Sequence, residues 1–471
     1  MVCFAIYNAF FHPLARYPGP WLARSTLIWR IWQATRGHFH TAVDEAHKKY
    51  GPVVRVSPNE LSFASASSVK DIYGHPTEPS QARIKGGFYD LVRVTKSTCI
   101  TSEKNPEKHK RMKQLLSTAF SPKALREQES VVAKQVDEFV DRLVKEGGPG
   151  SGGLNLTMWF EMVSFDILGD MAFGESFGCV ENGKPHFWSQ IIMDSLKYIA
   201  WVDSLRHFPL LPTIIRSLAP LLASVKNKHT SYTRDAVTRR LEKETTRKDF
   251  MSDIARKVHS GDVDKEEMIA HASTLVQVLA GAETIATFFA GATYFLLKPE
   301  NSAIWDKLCQ EVRGRYSSYE EINSVSAQKL PYLQAVISES LRIYPPAAHG
   351  FPRRSPGTHI DGHWVPEGVE MFTSPYTITH DAKYFPEPYQ FQPERWLDPA
   401  SKSVKAASQP FSLGPRGCVG QNFAMMEINQ ILAKMVFRYD WRLMNPDLDW
   451  LGESLTYVLW SKPAMYVEFK E

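Results

Sequence analysis

At 471 residues, with 43% hydrophobic and 12% aromatic side chains, the chain has the material for a substantial core, which excludes a disordered or fibrous protein. A formal net charge of +4 is small for this length and comes without any arginine-rich or aromatic-interleaved basic run, so nucleic acid is excluded as a partner. Five scattered cysteines without a CxxC pair argue against both a disulfide framework and a zinc site.

Val2 to Phe11 is an apolar run interrupted by Asn8 and closed by His12-Pro13. It is about half of a bilayer span and lacks the basic start and cleavage site of a secretory signal. It reads as a residual or truncated membrane-proximal segment, or as one that lies on a membrane surface. Tyr17-Pro18-Gly19-Pro20 is a stiff hinge that no helix crosses, dividing residues 1–20 from one large domain over 21–471. Val53 to Val56 and Glu60 to Phe63 predict a short hairpin about Ser57-Pro58-Asn59.

From about residue 105 to 345 the pattern is mostly helical, and Gly147 to Gly153 is a loop too short to separate domains. Within this region Asp262 or Asp264 can cap a helix that Lys298-Pro299 stops after Leu297. Roughly 33 residues would span about 50 Å. From Ile269 onward it carries few charges, Glu283 standing out, and a helix apolar nearly all round must cross a core. Inside it lies Ala280-Gly281-Ala282-Glu283-Thr284. Ala280 and Thr284 share a face, so the threonine hydroxyl can take the Ala280 carbonyl and bend the helix, while Gly281 leaves the backbone uncovered. A small-residue packing patch would explain all of this except the buried acid.

Glu339 and Arg342 lie one turn apart, a spacing that by default means an exposed pair. Tyr332 to Tyr344 is apolar enough to be buried, however, and a buried charged pair needs a further partner. After Pro345, proline, glycine and aromatic residues are dense through Trp396, with short strands at His359–Ile360 and Met371–Thr373; helical pattern returns near Gln421. The expected fold class is mainly α with a small β region, in a single large domain.

Cys3, Cys99, Cys179 and Cys309 read as inert thiols. Cys418 differs because of its neighbours, Phe411-Ser412-Leu413-Gly414-Pro415-Arg416-Gly417-Cys418-Val419-Gly420. Two glycines and a proline specify a tight loop with positive φ, and an apolar run beginning near Phe423 starts a helix. A cysteine at such a helix start meets outward N–H groups and a positive dipole, both of which favour the thiolate. Arg416 is well placed for a negative partner.

These ten residues resemble, at every fixed position, the haem-binding signature of cytochromes P450, F-x-x-G-x-R-x-C-x-G. Glu339-Ser340-Leu341-Arg342 resembles that family's ExxR motif. Phe391-Gln392-Pro393-Glu394-Arg395-Trp396 is similar to its PERF motif, with Trp396 for the usual phenylalanine. The resemblance gives Glu339, Arg342 and Arg395 a structural role, pinning the loop that leads to Cys418. Ala280 to Thr284 looks like the oxygen-binding stretch, which implies a groove for O₂ with Ala280 and Gly281 against the cofactor, Thr284 as hydrogen-bond donor and Glu283 as proton relay. His109-Lys110-Arg111-Met112-Lys113 resembles the helix that supports a haem propionate, with Lys113 in place of arginine and without its planar fork. Arg353 falls where relatives carry another propionate-binding arginine, Arg354 beside it being the alternative. Phe411 and Arg416 would also border the haem.

The resemblance implies the cytochrome P450 fold, haem b with Cys418 as iron ligand, and a monooxygenase that inserts one oxygen of O₂ into an apolar small molecule. No G-x-G-x-x-G follows a strand, so electrons from NADPH must come through a partner, NADPH-cytochrome P450 reductase, with cytochrome b5 as a further donor. Lys110, Arg111 and Lys113 could steer that acidic flavoprotein, and alanine at all three is expected to slow reduction with the haem spectrum intact. His12-Pro13-Leu14 with Tyr17-Pro18-Gly19-Pro20 resembles fungal microsomal members, which implies the cytoplasmic face of the endoplasmic reticulum membrane. Ala280 to Thr287 resembles the fungal branch that oxidises secondary metabolites, so a terpenoid, polyketide or alkaloid is expected. Substrate would be recognised by residues 80–100 and 195–215, the helix near Gln277, Ala347 to Gly350, and Thr456 to Trp460. Two alternatives are a family member that isomerises or dehydrates without O₂, which often lacks the acid–threonine pair, and a non-catalytic haem sensor, which has no need of it.

Overall fold

The computed structural model describes residues 2–76, 78, 81–91, 97–206, 230–242, 249–276, 281–399 and 406–471, without the side chains of 192–193 and 274–276. Ala280 and Gln277, and parts of the segments at 80–100 and 195–215, lie outside these residues.

The helices that build the site are α1 (Ile28–Thr35), α2 (Pro106–Ser117), α3 (Pro122–Gly147), α4 (Leu156–Phe173), α5 (Phe187–Leu205), α6 (Lys265–Val276), α7 (Ala282–Leu297), α8 (Pro331–Ile343) and α9 (Gln421–Arg438). Their ends follow local chemistry. Asn105 accepts from the N–H groups of Glu107 and Lys108 at 3.0 Å each, Ser121 accepts from Ala124, and α2, α3 and α8 each open on proline. α4 and α7, apolar nearly all round, form the centre of the core, where the ring of Phe160 stacks on Phe289 at 5.0 Å. Of the single helix expected from 262 or 264 to 297, α6 and α7 are described, and residues 277–280 between them lie outside the described residues. Gly281, with φ −130 and ψ −87, stands outside helical geometry at the start of α7.

The main sheet has five strands, β1 (Val53–Ser57), β2 (Glu60–Phe63), β3 (Ile84–Lys85), β4 (Arg353–Arg354) and β5 (Glu370–Thr373), in the order β1-β2-β5-β4-β3. β1 and β2 form the expected hairpin, and β2 pairs in parallel with β5. β4 pairs antiparallel with β3, which sets Lys85 opposite Arg353. The proline hinge packs against this sheet. Leu14 and Tyr17 are buried with Leu61, Phe63 and Met371, and Pro18 accepts the Arg55 N–H at 2.7 Å. A Cβ on Gly19 would sit 2.3 Å from the Arg55 carbonyl, so only glycine allows this approach. The strand Tyr466–Lys470 pairs with Leu154–Asn155 just before α4, bringing the segment ahead of it, including Lys462, against α4.

Candidate active site

Phe411 to Gly420 folds into the tight loop its glycines predict. Ser412 and Gly414 take φ of 60 and 68, and a Cβ on Gly414 would lie 2.4 Å from the Tyr73 carbonyl. Half-buried Phe411 accepts the Cys418 N–H at 2.9 Å, and α9 starts three residues on. Lys113 closes the loop from α2, its ammonium donating to the carbonyls of Pro415 and Gly417 at 2.9 and 3.2 Å. Burial pushes the Cys418 thiol up, against the N–H groups of Gly420 and Gln421 and the charge of Lys113. Burial therefore outweighs the loop and dipole that were expected to decide its ionisation, and a metal cation would complete the deprotonation. Cys418 itself is exposed.

A group of basic side chains lies beside this loop. Arg416 donates to the carbonyls of Glu103 and Lys104 at 2.8 and 2.7 Å. Arg353 is buried and donates to the Tyr89 hydroxyl at 2.8 Å, whereas Arg354 points outward. Buried Lys85 donates to the carbonyls of Ile100 and Thr101, both at 2.6 Å. Burial and then Arg416 and Arg353 push the Lys85 ammonium well down; burial and Arg353 push Arg416 down to about 10. His109 is buried on α2 and pushed down to about 3 by burial, Lys85 and Arg416, so it is neutral. Like charges across a strand pair, as at Lys85 and Arg353, are destabilising. Arg353 and Arg416 stand against one carboxylate, Glu103, among the groups that act on this cluster, so it keeps a positive surplus whatever the charge of Lys85. The donor set fits haem, whose two propionates would neutralise that surplus beside the thiol that can ligate its iron.

Behind the loop, Glu339 and Arg342 on α8 are fully buried and bonded at 2.7 and 2.8 Å. Glu339 also accepts from Arg395 at 3.2 Å, from the Trp396 indole N–H at 2.8 Å and from the Gln392 N–H at 2.9 Å. Arg342 also donates to the carbonyls of Thr379, Pro388 and Gln390. The pair is thus saturated with partners, as burial of charge requires.

On α7 the Thr284 hydroxyl donates to the Gly281 carbonyl at 3.2 Å, one residue later than the Ala280 carbonyl expected for it. Glu283 and Thr284 share no hydrogen bond. Glu283 is buried, accepts from Thr287 at 3.3 Å, and pairs with Lys462, whose ammonium also meets Glu161 of α4 at 3.1 Å. One ammonium serves two carboxylates, and burial, the largest influence, pushes Glu283 up to about 7 against the pull of Lys462.

The family model for Cytochrome P450 matches residues 18–468. The chain belongs to the cytochrome P450 family. It is 53% identical to "Cytochrome P450 monooxygenase ORF9" of Penicillium roqueforti, over 98% of this chain and 90% of that protein. It is 48% identical to "Cytochrome P450 monooxygenase BOT4" of Botryotinia fuckeliana, over 98% of this chain and 88% of that one. The "Trichothecene C-15 hydroxylase" of Fusarium sporotrichioides is similar at 35% identity, over 99% and 95%. This cytochrome P450 is a haem-thiolate monooxygenase that acts on a small molecule and takes electrons from a redox partner.

Three site features of this P450 were not read from its sequence. Lys85 carries no motif, and its pairing with Arg353 spans most of the chain. Lys462 likewise meets Glu283 only through the fold, although a lone lysine just after the apolar Val458-Leu459-Trp460 was a weak signal. Trp396, noted as a departure from the motif, replaces a phenylalanine contact with a hydrogen bond to Glu339. Lys113 holds the Cys418 loop, so alanine there would disturb that loop; the exposed Lys110 and Arg111 are the proper pair for testing partner steering.

Proposed function

We propose that Cys418 binds the haem iron as a thiolate, in a monooxygenase that oxidises an apolar secondary metabolite such as a terpenoid. The observation that carries this is the exposed Cys418 at the end of a tight loop, beside a basic cluster of Arg353, Arg416 and Lys85 with one carboxylate, Glu103, against it. Arg353, Arg416 and Lys85 would hold the propionates, with neutral His109 as a hydrogen-bonding neighbour; Lys113 and Phe411 shape the loop. When bound, thiolate-ligated haem supplies reductive activation of O₂. Thr284 would hold a hydroxyl proton at its Oγ1 beside the non-helical Gly281, and Glu283, near neutrality in its ionisation, would exchange protons with water. The trichothecene relative's name supports the metabolite class.

NADPH-cytochrome P450 reductase, with cytochrome b5, would supply electrons at the surface of α2, where Lys110 and Arg111 are exposed. The cytoplasmic face of the endoplasmic reticulum membrane suits the N-terminal surface. Val2, Phe4, Phe10, Phe11, Trp21 and Trp32 are each more than half exposed, with Phe10 and Trp21 in ring contact at 6.0 Å. No helix among the described residues is long and apolar enough to cross a membrane. The test is the reduced protein with carbon monoxide. A red-shifted Soret band in the wild type and its loss in Cys418→Ala are expected, and an unchanged pigment in the variant refutes the assignment.

A further inference from the structure

A cavity of about 40 Å³ lies between α1, the end of α5, the sheet and the loop after α8. By that measure it has room for a few waters and so for one functional group of a larger molecule. One side is apolar, with Phe88, Phe351 and Val458; the rings of Phe88 and Phe351 contact Tyr89, which accepts the Arg353 hydrogen bond next to the proposed haem site. The other side carries Arg30, Glu60 and Asp203. Arg30 donates to Glu60 at 2.7 Å, to Asp203 at 2.8 Å and to Ser204 at 3.4 Å, so all three of its nitrogens are occupied. Arg206 in turn joins Asp203 at 2.7 Å to Glu370 at 2.6 Å. Among the described residues, no cation on this wall is left to hold an anion.

His349 is the exception among these satisfied polar groups. It lines the cavity, is part exposed there, and packs edge-on against Phe39 at 5.9 Å. It makes no hydrogen bond with the described residues, and its Nδ1 is buried without a partner. Burial and Arg30 push it down to about 4, so it is a neutral imidazole that can donate at one nitrogen and accept at the other. The buried Nδ1 is closed to a ligand, so the ring nitrogen that can meet one is Nε2, and a neutral ligand oxygen there would add no charge beside Glu60 and Asp203.

We propose that His349 is a specificity-determining residue, its imidazole hydrogen-bonding a hydroxyl or carbonyl oxygen of the substrate. The enzyme then acts on a molecule that already carries an oxygen function, supplied by an earlier oxygenation or by a ring closure that ends in capture of water. This rests on the monooxygenase reading with haem at Cys418. The test uses the haem-loaded protein, titrated with the sesquiterpene alcohol cedrol and with the matching hydrocarbon cedrene, the Soret shift being read. Wild type should bind cedrol roughly five- to tenfold more tightly, the size of one buried hydrogen bond. His349→Phe should abolish that preference, with His349→Leu in its place if the ring disturbs folding, and His349→Gln should keep part of it. A His349→Phe or His349→Leu variant that retains both the thiolate–carbon monoxide band and the preference overturns the proposal. So does a wild type with that band that shows no preference or no response to cedrol. A wild type without the band fails the haem assignment, and this inference with it.

Discussion

At the scale of single residues, the chemistry turns on buried charge. Glu283 has an ordinary value of 4.5 and rises to about 7 in the fold. A raised acid favours the folded state below its unfolded value and loses that contribution as pH climbs through the folded one. Between about pH 4.5 and 7 the wild type should therefore lose stability relative to Glu283→Gln, on the order of 2–3 kcal/mol. Melting temperatures of both proteins across that range check it, and parallel curves would count against it. Lys85 makes a second case, because its ammonium is buried opposite Arg353. Lys85→Met should weaken haem retention, read as haem lost to apomyoglobin, while raising the melting temperature of the haem-free protein. Both Glu283 and Cys418 were legible as residues of interest, but the lysines whose charge opposes the effect of their burial were not. Lys462 and Lys113 reach them from elements distant in sequence.

At the scale of elements, loop and helix are held by bonds that no spacing rule contains. Glu339 and Arg342 were readable as a pair at i, i+3, and Arg395 as a third member only through the resemblance to a family motif. The indole of Trp396 is a fourth member that its substitution for phenylalanine did not announce. Trp396→Phe should cost about 1–3 kcal/mol, since it strips a donor from a buried carboxylate; an unchanged denaturation midpoint would mean that water replaces the indole. Gly414→Ala puts a Cβ both into left-handed backbone and against the Tyr73 carbonyl. Haem incorporation should fall sharply in that variant, whereas alanine at Gly314, where the space is open, should leave it unchanged. A bend was expected where α7 starts, with the Thr284 hydroxyl taking the Ala280 carbonyl. Gly281 instead leaves helical geometry, because a residue without Cβ resists neither the departure nor its carbonyl being taken by Thr284.

For the whole molecule, charge and apolar surface are distributed by function. α2 buries His109, turns Lys113 to the Cys418 loop and leaves Lys110 and Arg111 on the surface, a division set by helical periodicity. Alanine at Lys110 and Arg111 together should slow reduction by the flavoprotein several-fold at low salt, with the difference shrinking as ionic strength rises and the haem spectrum constant. A rate insensitive to both substitution and salt would move the docking surface elsewhere. The exposed aromatic residues near the N-terminus form the complementary apolar surface, packed onto the sheet through Leu14 and Tyr17 rather than hanging free.

By itself the sequence determined the helices and the hairpin, the tight loop at Cys418 and the family, because each depends on local periodicity, on glycine and proline geometry, or on residues adjacent in the chain. Tertiary structure alone decided which of Arg353 and Arg354 faces inward, that Lys85 joins the cations, that Glu283 pairs with Lys462, and that His349 borders a cavity without a partner. Those outcomes depend on contacts between segments hundreds of residues apart, where Coulomb and desolvation energies depend on distance and burial rather than on order in the chain.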